Sequence, residues 1–361
     1  MKKWVVLLTC SLLMGLTAAA LAQDNASLEE RVRLLEKAIG GTEAGNSWWD
    51  RIQVSGLVEV EAYYQDADTA DDSSDVDLAT VELAVDARII DHVDGHVLFK
   101  WEDDDLFVDE GFITLTGTDA FPAYLIAGRQ YLPFGRFDTH FITDPNTLIL
   151  GETNEGSLVA GCRIGGELVD LSVGAFNGKI EEAGEDNHVD GFVAGVTAQP
   201  FEGLTLGASY ISNLASSDAF SELITDRNGD GDIDPVEDFV GGWSAFVTFE
   251  FLDRFRLIGE YVSALDEFEA GEVYIDTDPD DRKPAAWNAE FGVMIVEDLE
   301  LAVRYGGSDD GADFLPEKQY GAVINWGLFS CTNLALEYLH DEYEDDVEET
   351  DTVTAQLAIE F

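Results

Sequence analysis

The 361-residue chain carries 74 Asp and Glu against 19 Lys and Arg, a formal net charge of −55. Such a negative surface repels a polyanion, which excludes nucleic acid as a partner. The length suits one large barrel or two soluble domains.

Residues 1–22 open with Lys2 and Lys3, run apolar from Trp4 to Leu16, and end on Ala20-Leu21-Ala22. This is the pattern of a secretory signal cleaved after Ala22. The apolar run is too short for a spanning helix. Cys10 lies inside it and not at a mature N-terminus, which argues against a lipoprotein. Processing takes the charge to about −57. No later apolar run is long enough to span a bilayer as a helix, so a membrane location requires a closed barrel.

Residues 23–49 contain Ser27–Ile39, with Leu28, Val32, Leu35 and Ile39 at coiled-coil spacing. Ser27 and Glu30 form a capping box, and Gly40-Gly41 ends the helix. The spacing predicts a periplasmic coiled coil that helps a homotrimer form, or a single amphipathic helix on the barrel rim.

From residue 50 the period changes to two. Ile52, Val54, Val58 and Val60 alternate with Gln53, Ser55, Glu59 and Glu61, and similar runs follow to the end of the chain. Sixteen strands are predicted: 51–64, 77–90, 94–102, 109–117, 122–132, 156–164, 167–177, 189–199, 203–213, 239–251, 254–264, 285–296, 298–306, 317–327, 331–341 and 350–361. Connections after odd strands are long and acidic, except 103–108. Those after even strands are tight. An even strand count with long outer loops and short inner turns is the topology of a transmembrane antiparallel β-barrel. Sixteen strands leave room for an aqueous channel. The fold class is therefore all-β: a 16-stranded barrel over 50–361 after a short N-terminal helix. Cys162 and Cys331 fall on strands far apart, so no disulfide between them is expected.

Parity sends Glu59, Glu61, Glu82, Asp86, Glu102, Glu250, Glu260, Glu290, Glu300 and Glu337 into the lumen, with Arg88, Lys100, Arg129, Arg256 and Arg304. Charged residues at these positions suit a wet interior, not a dry sandwich core. Acids outnumber bases, so the lumen field favours cations. Nothing near these carboxylates supplies a nucleophile or metal cluster, so no enzyme activity is expected. His92 and His96 flank a periplasmic turn and are read as surface residues.

The third outer connection, 133–155, carries seven large apolar residues, Phe134, Phe137, Phe141, Ile142, Leu148, Ile149 and Leu150. A loop in water has no use for them, whereas one folded into the lumen packs them on the wall. It is the expected constriction, with Arg129, Arg136, Asp138, His140, Asp144 and Glu152 lining the narrowest point.

At this stretch the chain resembles the LbtU family of siderophore porins. The likeness is carried by G-R-Q-Y-L-P-F-G-R-F (128–137), F-I-T-D-P (141–145), L-G-E-T (150–153), A-F-N-G (175–178) and V-D-E-G-F-I-T-L (108–115), with the short helix after the signal. The resemblance implies a sixteen-stranded outer-membrane porin associated with ferric-siderophore uptake. It assigns no siderophore-binding side chains. Phosphate-selective porins share the layout but have a lysine-rich lumen. This chain has seven lysines, of which Lys100 sits clearly on a lumen face, which argues against anion selectivity.

The fifth outer loop reads Asp226-Arg227-Asn228-Gly229-Asp230-Gly231-Asp232-Ile233-Asp234-Pro235-Val236-Glu237. Oxygen donors fall at the spacing of a twelve-residue EF-hand loop: Asp226, Asn228, Asp230, Asp232 through its carbonyl, Asp234 and Glu237. Gly231 stands at the sharp turn. The spacing predicts structural Ca²⁺ binding that stiffens the loop. The last strand alternates from Val353 to Phe361, as a closing barrel strand does, and the terminal aromatic reads as a signal to the barrel-assembly machinery. Taken together, the sequence predicts an outer-membrane porin of a Gram-negative bacterium, embedded in lipid and passing small hydrophilic solutes or a ferric siderophore. The alternative is a general cation-selective porin.

Overall fold

Alternating residues pair because each strand then offers one face to lipid and one to water. The computed structural model describes residues 51–361, apart from 69–70, 103–104, 167, 185–187, 224–234, 271, 273–280, 312–313 and 344–348. The signal at 1–22, the heptads within 23–49 and calcium-loop residues Asp226–Asp234 lie outside the described residues.

The strands are β1 (Ile52–Ala67), β2 (Ser73–Ile90), β3 (Val93–Glu102), β4 (Asp105–Thr118), β5 (Phe121–Tyr131), β6 (Asn154–Ile164), β7 (Val169–Phe176) and β8 (Gly191–Phe201). They continue with β9 (Leu204–Ile211), β10 (Gly242–Phe251), β11 (Phe255–Ala264), β12 (Ala285–Val296), β13 (Leu299–Asp309), β14 (Lys318–Phe329), β15 (Thr332–Glu342) and β16 (Glu349–Glu360). Each pairs with its sequence neighbours, and β1 pairs with β16 to close the barrel. Closure removes every free sheet edge. At the seam Phe361 exchanges both backbone hydrogen bonds with Gly56, at 2.9 and 3.0 Å.

Every predicted strand is present, with ends shifted by a few residues. The largest shift is in the first hairpin. β1 runs on to Ala67 and β2 starts at Ser73, so most of the expected loop 65–76 is strand. Above the bilayer both faces are wet, and pairing continues where alternation has stopped. The tight turns use left-handed backbone, as at Gly165-Gly166 (φ 68° and 83°) and Leu252-Asp253 (φ 57° and 51°). Two consecutive positive φ values match the twist of the flanking strands.

The outer wall is apolar. A belt of exposed aromatics, Tyr210, Trp243, Tyr261, Tyr305, Tyr320, Tyr338 and Tyr64, follows the strand register near the long-loop end. Amphipathic rings at that level suit a headgroup region. Phe249, Phe251, Phe255 and Phe291 stack in sequence near the turn end.

The interior is packed off-centre. Two short helices, α1 (Asn146–Gly151) and α2 (Asp218–Leu223), lie in outer connections. A buried apolar cluster joins Phe134 and Leu150 of the third connection to Phe176, Ile180, Leu214, Phe220, Val240, Phe268 and Leu315. The outer loops thus contribute a shared core at the mouth. Their acids hide apolar residues spaced too widely to show periodicity.

Candidate functional site

The third connection leaves β5 and crosses to the opposite wall. Within β5 Gly128 has φ 144°, and in the inward connection Gly135 has φ 72°, conformations that L side chains rarely adopt. Leu132, Pro133 and buried Phe134 follow β5, and a Cβ on Gly135 would lie 2.2 Å from the Phe137 ring. The G-R-Q-Y-L-P-F-G-R-F motif therefore serves to aim the loop.

Three lumen carboxylates hold the loop to the wall. Glu260 on β11 accepts from Arg136 N at 2.8 Å and Phe137 N at 2.7 Å. Glu290 on β12 accepts from His140 N at 2.7 Å and Thr139 Oγ1 at 2.8 Å. Glu337 on β15 accepts from Ile142 N at 2.6 Å, Thr143 N at 3.2 Å and Thr143 Oγ1 at 2.6 Å. Backbone donors on an irregular loop would otherwise be left unpaired where water is scarce. Asn325 adds a bond from Nδ2 to His140 O at 2.8 Å. Arg304 closes the set: its guanidinium donates to Glu290 at 3.0 Å, Gln319 at 3.1 Å and Thr139 Oγ1 at 2.6 Å, and lies 4.3 Å from the Phe141 ring centre.

These contacts correct several expected roles. Glu260, Glu290, Arg304 and Glu337 point inward but are buried beneath the loop, so they anchor it and do not line a passage. Asp138 accepts from Arg256 Nη2 and Arg136 Nε, both at 2.9 Å, and faces the wall. His140 is buried with Nδ1 3.0 Å from Glu300 Oε1, and its ring fills the space over Gly292. Asp138 and His140 therefore do not line the narrowest point. Arg136 sits against Phe246 on the β10 side, away from the gap. Arg129 is on the outer parity of β5. The register pairs it with Gly111 and Gly156 and gives it the parity of Ala127, whose partners Ile113 and Leu158 are exposed on the outer wall. Its assignment to the lumen is corrected. That stretch mixes small residues on both faces, so parity was poorly marked.

The remaining gap lies between the loop tip and the β16–β1–β2–β3 wall. It is a cavity of about 980 Å³ with Glu59, Glu61, Asp77, Glu82, Lys100 and Glu102 on the wall and Phe141, Ile142, Thr143 and Asp144 on the loop. Six carboxylates face one ammonium, and Lys100 Nζ is already 3.0 Å from Glu102. Asp144 is open to the gap but enclosed by protein beyond it, and this burial of its surroundings raises its carboxyl above the ordinary value. Glu152, just past α1, is pushed up to about 8, first by burial and then by the Asp144 and Asp218 carboxylates. A gap of this charge concentrates cations.

The other inward residues sit nearer the short turns. Arg88 pairs with Asp94 at 3.5 Å, Glu250 with Arg256 at 3.5 Å, and both Arg88 and Glu250 are largely exposed. Asp86 is 2.8 Å from His96 Nδ1, and Glu110 is 3.2 Å from His96 Nε2. His96 therefore faces the lumen, stacked on Phe112, and its reading as a surface residue is corrected. The signal was present in the sequence, because His96 shares parity with Lys100. Tyr63 pairs with inward Thr354 and leaves the aromatic belt to Tyr64.

No family model matches the chain. A UPF0422 protein of Coxiella burnetii is 25% identical over 306 residues, covering 81% of this chain and 64% of its own length. A UPF0422 protein of Legionella pneumophila (strain Lens) is 22% identical over 318 residues, covering 80% and 59%. The chain thus spans about three-fifths of the length of the curated relatives it matches. Among solved structures, the outer membrane channel DcaP of Acinetobacter baumannii aligns with a TM-score of 0.62 at 14% identity, covering 86% of this chain and 97% of that one. An anion-selective porin from Comamonas acidovorans gives 0.61 at 12%, covering 86% and 99%. The trimer form of OmpT from Vibrio cholerae gives 0.54 at 14%, covering 86% and 100%. At these identities the likeness is one of architecture, and the chain has the closed sixteen-stranded fold of the outer-membrane porins.

Proposed function

We propose that this protein is an outer-membrane porin whose passage runs between the loop tip and the β16–β3 wall, and that it passes small hydrophilic solutes passively with a preference for cations. The observation that carries the reading is the loop itself. It crosses the lumen, is held by Glu260, Glu290 and Glu337, and leaves an acidic gap along one wall only. An adhesin or a barrel enzyme has no need of an inward loop latched in this way. The test is planar-bilayer recording under a salt gradient. Steady openings with a cation-side reversal potential support the proposal, and anion-side reversal or no openings refute it. Asp144→Asn and Glu82→Gln should each move the reversal potential toward zero, while Glu250→Gln near the turns should move it less.

Ferric-siderophore uptake is the finer reading that the LbtU resemblance suggests. It is tested in the same recordings, where a substrate siderophore blocks the openings and a general porin ignores it. A homotrimer is in keeping with the heptads at 28–39 and with the trimeric OmpT neighbour. Light scattering on the detergent-folded chain decides it.

Calcium binding at 226–237 is proposed from donor spacing. Among the described residues no three His, Cys, Asp or Glu side chains converge to hold a metal. At the described end of the loop Glu237 hydrogen-bonds Glu269 and raises its carboxyl. Calorimetry should show Ca²⁺ binding that Asp230→Ala abolishes. Equal heats for the variant and the parent chain would refute it.

A further inference from the structure

The lumen has a second recess whose lining, unlike that of the acidic gap, is balanced in charge and carries two aromatic rings. It lies on the wall from β5 to β10, towards the short turns, with a volume of about 380 Å³. That is at the small end of ligand pockets and fits one ring with its substituents. Pro133 and Gly135 of the third connection roof it.

Two aromatic rings form its walls, and each lies flat over a glycine. A Cβ on Gly161 would stand 2.1 Å from the Tyr124 ring, and one on Gly207 would stand 2.4 Å from the Phe246 ring. Gly195 keeps the floor low, since its Cβ would meet Pro133 O at 2.9 Å. Side chains at these three positions would fill the recess or push the rings into it.

Each ring also carries a guanidinium. Arg163 Cζ is 5.2 Å from the Tyr124 ring centre, and Arg136 Cζ is 5.8 Å from that of Phe246. Arg163 is half exposed, and among the described residues its contact with an acid is a long one, 3.4 Å from Nε to Asp170. Asp170 is also engaged by Tyr124 OH at 2.9 Å. The fork of Arg163 Nη groups is therefore free to meet a carboxylate. Arg136 shares Asp138 with Arg256, which also meets Glu250 at 3.5 Å. In a chain of net charge −55, the recess lining itself balances one arginine, Arg163, against one carboxylate, Asp170.

We propose that this recess is a binding subsite for a small aromatic carboxylate, its ring between Tyr124 and Phe246 and its carboxylate on Arg163. A ring stacked on an aromatic face with a cation at its edge is favoured by both contacts. Ser172 and Gln199 line the rest and suit ring hydroxyls. The proposal rests on the porin reading only for how the solute arrives.

The test is isothermal titration calorimetry on the full, detergent-folded chain with salicylate, with benzyl alcohol and acetate as controls. Salicylate should bind saturably and more tightly than either control. Arg163→Gln should weaken it about tenfold, the scale of a lost charge-assisted pair. Tyr124→Leu should weaken it with the arginine still present, and Arg88→Gln, at the same end of the barrel, should leave it unchanged. No saturable heat overturns the proposal. Equal affinity for acetate would reduce the recess to a simple anion site, equal affinity for benzyl alcohol would make it an apolar crevice, and either result overturns it. Equal losses in Arg163→Gln and Arg88→Gln would do the same. Binding needs no open channel, so a chain that binds salicylate but gives no conductance refutes the porin reading and leaves this one standing.

Discussion

Replacing Glu337 by alanine should release the tip of the constriction loop. The carboxylate is 1% exposed and accepts three hydrogen bonds, from Ile142 N, Thr143 N and Thr143 Oγ1. A hydrogen bond to a charged acceptor is worth about 1.5–3 kcal/mol. Water entering the space left by the side chain recovers part of the three, so the expected net loss is about 3–5 kcal/mol. A loss of 3 kcal/mol moves a local closed–open equilibrium by about a hundredfold. The rest of the loop stays held by Glu260 and Glu290, and α1 beyond it by Asn146 Nδ2 on Pro316 O at 3.2 Å. The freed segment is therefore Phe141–Asp144, which bounds the acidic gap. Single-channel recording should show larger conductance and added current noise. Glu337→Gln keeps a carbonyl acceptor for the two backbone donors and should lose only about 1–2 kcal/mol, with openings close to those of the parent chain. If Glu337→Ala folds, as judged by heat-modifiable gel mobility, and conducts like the parent without extra noise, the carboxylate does not hold the loop and the reasoning fails.

Arg304→Met leaves Glu290 buried without its ion partner and should cost about 3–5 kcal/mol in detergent-folded stability. The double change with Glu290→Leu should recover part of this, and an unchanged melting point would contradict the buried pair. Gly292→Ala sets a methyl 2.5 Å from His140 Cε1, so the loop must shift. About 1–3 kcal/mol of overpacking strain and altered conductance are expected, against neither at Gly95, where a Cβ meets nothing. Glu152 gives a pH signature. Its folded pKa of about 8 is raised above the ordinary carboxylate value, so its contribution to stability is complete below about 4.5 and is lost as pH rises through about 8. The same ionisation adds a negative charge near Asp144. Cation preference, read from reversal potential, should therefore step up between about pH 7 and 9, and Glu152→Gln should remove the step.

The barrel was legible because its instruction is local and repeated. Sixteen alternations, with left-handed backbone at most of the tight turns, leave little freedom in strand count or pairing. Loop direction was legible for a related reason: seven large apolar residues between Pro133 and Glu155 have nowhere to go but inward. Strand ends above the membrane were less legible, since Ser73–Asp75 are polar on both faces and still belong to β2. Arg129 failed because small residues on both sides of β5 blur parity. His96 failed although the parity of Lys100 already placed it inside.

The roles of the inward acids were not legible, and the reason is physical. Period two reports which side of the wall a residue faces, not what lies above it. Glu59, Glu82, Glu290 and Glu337 look alike in the strand pattern, yet the first two meet water and the last two meet backbone N–H groups 150 and 195 residues away in sequence. That long-range pairing depends on where the loop comes to rest. The loop leans on β11 to β15, and in doing so it covers the acids of that wall and leaves those of β1 to β3 facing the gap. The choice of wall therefore decides which charges a solute meets: moving the loop to the other side would bury Glu59, Glu61 and Glu82 and uncover Glu260, Glu290 and Glu337 together with Arg256 and Arg304.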